Sequence, residues 1–163
     1  MRHILSVLVN NSSGVLSHVT SLFTRRGYNI ASLCVAETHH PERSIITMVI
    51  DEEDKMVSQI ERQLYKLVDV IKIEDLTNID SVERELVLAT IQSERSKREE
   101  ILSLIDVYQA HIVDMTDSAV MIEMIADPRR IRSFIKTISE YGIIKIARSG
   151  SIALPYLAEE EQV

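Results

Sequence analysis

Few side chains in this sequence stand in arrangements that could carry out covalent chemistry. Cys34 is the only cysteine and lies between Leu33 and Val35 in an apolar run. There a buried small hydrophobe is a simpler account than a nucleophile. His39 and His40, with Glu37 and Glu42 nearby, are potential metal ligands. Adjacent histidines in an extended segment project to opposite sides, and no third close ligand stands at a suitable spacing, which favours a solvated hairpin tip. His3, His18 and His111 are scattered. Arg148-Ser149-Gly150-Ser151 reads equally as an anion-holding turn and as the end of a strand. No G-x-S-x-G, P-loop, H-E-x-x-H or C-x-x-C is present. The glycines at 14, 27, 142 and 150 cannot form a dinucleotide fingerprint.

One segment offers binding chemistry. Asn10 to Gly14 joins a strand end to a helix start, where unsatisfied backbone N–H groups and the helix dipole favour a carboxylate. Gly14 permits close backbone approach. Asn11 adds an amide with donor and acceptor, and Asn29, at the start of a neighbouring strand, adds another. Together these groups suit the carboxylate and ammonium of a free amino acid. The competing reading is that Asn11 or Ser13 merely caps the helix while Gly14 eases the turn.

These residues must be positioned by the elements around them. His3 to Val9 reads as a strand. Val15, Leu16, Val19, Leu22 and Phe23 then recur at helical spacing, with Arg25-Arg26 in the last turn and Gly27 as the left-handed cap. Asn29–Thr38 and Ser44–Ile50 form a hairpin around His39–Arg43. A helix with the stripe Val57, Ile60, Leu64 and Leu67 follows, and then a strand over Val68–Ile73. The order βαββαβ recurs downstream: a strand over Glu85–Gln92, a helix opened by a Ser96/Glu99 capping box, strands over Ala110–Met115 and Ala119–Ile125, a helix with Asp127 as N-cap and Pro128 at its first position, and a strand over Ile143–Arg148. The fold class is α+β: two tandem ferredoxin-like βαββαβ units, each an antiparallel four-stranded sheet with two helices on one face. Units of about 75 residues are marginal alone, and Ser44–Ile50 is apolar on both faces. The pattern therefore predicts an obligate homodimer, with sheets joined edge to edge or face to face.

Composition narrows the function further. The chain has 163 residues, 45% apolar and 4% aromatic, with 18 Lys and Arg against 25 Asp and Glu, a formal charge of −7. That balance and the short basic runs oppose a nucleic-acid role. A lone cysteine allows no intrachain disulfide. No targeting pattern opens the sequence, and no apolar run approaches the roughly 18 residues that span a bilayer. The expectation is a cytoplasmic protein with no membrane partner.

Several motifs, in order along nearly the whole chain, resemble the small regulatory subunit of acetolactate synthase, whose N-terminal half is an ACT domain. They are Ile4–Ser17, Arg26–Ile30, Ser32–Ala36, Gln63–Val70, Val82–Leu86 and Ala147–Gly150. His18, Ala31 and Ile45 depart from the family pattern. The resemblance implies an ACT domain over 1–76, a linker over 77–81, a C-terminal ferredoxin-like domain over 82–150 and an acidic tail over 151–163. It implies a non-catalytic chain, without a cofactor of its own, that binds a large catalytic subunit carrying thiamine diphosphate, Mg²⁺ and FAD. It would raise that subunit's activity and confer feedback inhibition by valine, held between the ACT domains of a homodimer. By matching position, Asn11, Gly14 and Val15 would hold valine's main-chain groups from one protomer. Asn29, Ile30 and Ala36 would contribute across the interface, with the small Ala36 leaving room for a branched side chain. The alternative is a free-standing ACT-type amino-acid-binding regulator.

Overall fold

A computed structural model describes residues 1–157. It divides into two compact units, one formed by Met1–Val82 together with the segment that starts at Ser151, the other by Glu83–Gly150. The acidic residues Glu159 to Glu161, read above as part of a tail, lie outside the described residues.

The first unit is built from β1 (Arg2–Asn10), α1 (Val15–Arg26), β2 (Ile30–Glu37), β3 (Arg43–Asp51), α2 (Asp54–Leu64) and β4 (Val70–Asp75). Its sheet has the order β2-β3-β1-β4, with the determined pairs antiparallel. Alternation decides what each strand buries. Leu5, Val7 and Val9 of β1 and Ile46, Met48 and Ile50 of β3 share one core with Val19, Phe23, Ile60 and Leu64 from the helices. α1 ends where Gly27 takes φ 68°, its N–H donating to the carbonyls of Phe23 and Thr24. A side chain is rarely accommodated in that left-handed geometry, which explains the stop after two arginines. β4 begins at Val70, two residues later than the periodicity suggests. A turn closed by the Val70 N–H on the Leu67 carbonyl leaves Val68 95% exposed, so this apolar residue belongs to no strand.

The second unit contains β5 (Ser81–Gln92) from Glu83 onward, α3 (Arg98–Tyr108), β6 (His111–Met115), β7 (Ala119–Ala126), α4 (Pro128–Ile138) and β8 (Ile143–Pro155) up to Gly150. Its strand order is β6-β7-β5-β8. Val87, Ala89 and Ile91 face Val120, Ile122 and Met124 in a core closed by Ile101, Ile105, Ile131 and Phe134. α4 starts as expected: Asp127 Oδ1 accepts the Arg130 N–H at 2.9 Å, and Pro128 follows the cap. α3 does not. A short 3-10 turn over Arg95–Lys97 precedes it, and no side chain caps it, so the Ser96/Glu99 box is not formed. Instead the Arg98 guanidinium donates to the carbonyls of Thr116 and Asp117, both at 2.9 Å.

The largest departure is at the end of β8. The strand expected to stop at Arg148 runs to Pro155, and its residues from Ser151 onward belong to the first unit. The Ser151 N–H donates to Ser32 Oγ at 3.1 Å. Ala153 is buried with Ile4 and Leu76, and the Tyr156 N–H donates to the Asp80 carbonyl at 3.0 Å. Ser32 and Ile4 both stand opposite Val49, on the sheet face away from the helices. The segment read as the start of a tail is therefore a strap across part of that face.

Candidate functional site

The junction of β1 and α1 has the geometry of an open anion cradle. Gly14 is the N-cap residue of α1, at φ 91° and ψ −12°, and no side chain caps the helix. Neither Asn11 nor Ser13 plays the capping role that the simpler reading assigned. Part of that reading holds, because Gly14 does make the turn in a left-handed conformation. A Cβ built at Gly14 meets nothing within 4 Å, so the glycine answers a backbone requirement and leaves open space above it. The Val15 N–H makes only a long 3.4 Å bond to the Ser12 carbonyl. The first-turn amides of α1 thus keep donor capacity for a carboxylate.

Asn11 is directed by contacts far along the chain. Its N–H donates to the Glu42 carbonyl at 2.8 Å. Its Nδ2 donates to the Pro41 carbonyl at 2.8 Å and to Glu37 Oε2 at 3.3 Å. Those bonds tie the β1–α1 loop to the β2–β3 hairpin and bring the Glu37 carboxylate to the site. From the sequence Glu37 stood only as a potential metal ligand beside His39 and His40, not as part of this site.

The six predicted residues do not come together within one chain. Asn11 and Gly14 are exposed, while Val15 is buried with its side chain in the core, so only its backbone is available to a ligand. Ala36 pairs with Ile45, which in turn pairs with Leu8 near the C-terminal end of β1. This places Ala36 toward the loop end of the sheet. Ile30 pairs with Ile50, the partner of His3 at the other end, and Asn29 precedes it. At about 3.3 Å per residue, Ile30 and Ala36 are some 20 Å apart along β2. That strand is the sheet edge, and its Val35 is 40% exposed.

Elsewhere the chemistry-bearing side chains are dispersed. The His39 and His40 rings lie 4.1 Å apart at the hairpin tip, closer than the opposite-sided projection expected of strand neighbours. Among the described residues no group of three or more His, Cys, Asp or Glu is placed to hold a metal ion. Cys34 is half-buried. No described helix is long and apolar enough to cross a membrane.

Two ferredoxin-like units in tandem, the first with an uncapped strand–loop–helix junction and an open edge strand, define an ACT-type chain. Comparison with known proteins narrows the class. Residues 5–72 match the family model for the AHAS small subunit-like ACT domain, and residues 84–156 match that for the small subunit of acetolactate synthase. A chain of Archaeoglobus fulgidus described as a probable acetolactate synthase small subunit is 41% identical over 154 residues, covering 94% of this chain and 96% of that one. The acetolactate synthase isozyme 3 small subunit of Escherichia coli is 39% identical over 155 residues, covering 94% and 95%. The crystal structure of the acetolactate synthase small subunit from Thermotoga maritima superposes with a TM-score of 0.89 at 33% identity, covering 97% of this chain and 99% of that one. The chain belongs to the acetolactate synthase small-subunit family. That membership places it among regulatory subunits.

Proposed function

We propose that the chain binds the catalytic subunit of acetolactate synthase, raises its activity and transmits feedback inhibition by valine bound between the N-terminal units of two copies. The carrying observation is the separation of the candidate residues along the edge strand. If two β2 edges pair antiparallel about a two-fold axis near Leu33, position 30 of one copy comes beside position 36 of the other. Asn29 and Ile30 of a second copy then join Asn11 and Gly14 of the first, and the site forms twice; the register assigns Ala36 to the copy that supplies Asn11, not across the interface as the resemblance implied. The first-turn amides of α1 take the carboxylate. The Asn11 carboxamide oxygen and the Glu37 carboxylate are acceptors for the ammonium. Ala36 leaves space for the branched side chain.

Thiamine diphosphate, Mg²⁺ and FAD belong in this reading to the catalytic subunit. Valine acts by stabilising one arrangement of the small-subunit dimer, which favours a less active catalytic subunit. Such coupling is typically worth about 1–3 kcal/mol and is reciprocal, so docking of the catalytic subunit changes valine affinity by the same factor. Calorimetric titration of the chain with valine, leucine and isoleucine, beside acetolactate assays of each subunit and of the mixture, tests both parts. Valine heat with activation of the mixture is the expected result. Valine heat without any effect on the catalytic subunit leaves a free-standing amino-acid-binding regulator. No heat from any of the three removes the sensor.

A further inference from the structure

The outer side of the helical layer in the first unit carries a feature that the valine site does not use. Two hollows of about 490 and 400 Å³ lie between α1 and the end of α2 with its following turn. Both are lined by Arg25 and Leu67, so they adjoin along one groove between the helices. Its apolar floor includes the buried Leu22 and the half-buried Leu67. Arg25, Arg26 and Lys66 line it and are exposed. Arg25 Nε donates to the Ser21 carbonyl at 3.3 Å, and Lys66 Nζ to Gln63 Oε1 at 3.4 Å. None of the three makes an ion pair among the described residues.

This concentration of cations runs against the rest of the molecule. The formal charge is −7, yet the first acidic residue in the sequence is Glu37, so α1 carries no carboxylate. The negative end of the α1 dipole explains two arginines in its last turn. It does not explain a third cation, brought by a different element to the same groove. Unpaired like charges around an apolar floor are a docking surface for the opposite charge, since complementary potentials guide encounter and suppress wrong partners. Edge pairing through β2 leaves this outward side of the helical layer uncovered.

We propose that the groove between α1 and the end of α2 docks a carboxylate-rich surface segment of the catalytic subunit, with Arg25, Arg26 and Lys66 as its charge contacts. The proposal rests on the regulatory-subunit reading and adds to it the surface used. The test is association of the full-length chain with the catalytic subunit by surface plasmon resonance at several salt concentrations. Acetolactate formation and calorimetric valine binding are measured on the same samples. In the triple variant Arg25→Glu, Arg26→Glu, Lys66→Glu, association slows and affinity falls about tenfold or more, while valine heat persists. The wild-type affinity falls with added salt, and the variant loses most of that dependence. Arg25→Lys with Arg26→Lys keeps the charge and retains binding, which separates charge from a folding defect. Lys136→Glu, on α4, serves as the control and leaves association unchanged. A triple variant that binds and activates like wild type overturns the groove alone. A wild-type chain that never associates overturns this proposal and the regulatory reading together.

Discussion

Gly14 is where the proposed valine site depends most on a single residue. Its φ of 91° lies in the region that costs an L-residue about 1–2 kcal/mol, and the space above it is open. Gly14→Val therefore strains the backbone without an internal clash and places a side chain where the ligand's carboxylate is expected. The expected outcome is a thermal midpoint lowered by a corresponding few degrees and valine heat reduced beyond detection. A variant that titrates like wild type places the ligand elsewhere. The sequence made this position legible because a glycine between a strand and a helical stripe has a narrow set of uses. The place of Glu37 beside Asn11 was not legible: it arises only because the β2–β3 hairpin folds back on a loop 26 residues earlier, a long-range contact that no local pattern records.

At the scale of elements, the two downstream helix starts show what local signals decide. Asp127-Pro128 needs no help from the rest of the fold, since the carboxylate accepts the Arg130 N–H within its own turn. The Ser96/Glu99 spacing is equally good on paper, yet α3 begins at Arg98, whose guanidinium is held by the carbonyls of Thr116 and Asp117. Tertiary anchoring overrode the cap. β4 and β8 shifted for related reasons, one held off by the turn at Leu67 and the other drawn onward by burial of Ala153. The Asp127 cap makes a measurable prediction. The backbone N–H of Arg130, foremost, holds the Asp127 carboxyl below its ordinary range, against a smaller opposing effect of burial. A depressed carboxyl contributes stability above its unfolded pKa and loses it as pH falls through the folded value. Asp127→Ala thus costs about 1 kcal/mol near pH 7. In circular-dichroism melts the gap to wild type narrows once the pH drops below the usual carboxylate range near 3.9. Asp127→Asn keeps the cap and loses that pH dependence.

For the molecule as a whole, the issue is how a four-stranded sheet with helices on one side disposes of its remaining surface. The pattern of apolar residues on both faces of β3 called for a partner, and part of that partner is the chain itself: the strap from Ser151 buries Ala153 against Ile4 and Leu76. Ala153→Asp sets an unpaired charge in that contact and is expected to destabilise the protein by about 2–4 kcal/mol in denaturant melts. Unchanged stability would mean that the strap is dispensable. The strap leaves the β2 edge open, and an unpaired edge carrying Val35 at 40% exposure is a template for a second strand. Natural proteins protect such edges with a lysine, and β2 has none. Val35→Lys supplies one. Because Asn29 and Ile30 of the proposed valine site come from the other copy, one substitution should weaken two properties at once. Sedimentation should find the variant monomeric at concentrations where the proposed wild-type dimer forms, and valine affinity should fall in step as the protein is diluted. A Val35→Lys chain that stays dimeric with full valine heat moves the interface away from this edge. A monomer that still binds valine at full strength would instead make the site the property of one chain, which the spacing of Ile30 and Ala36 along β2 argues against.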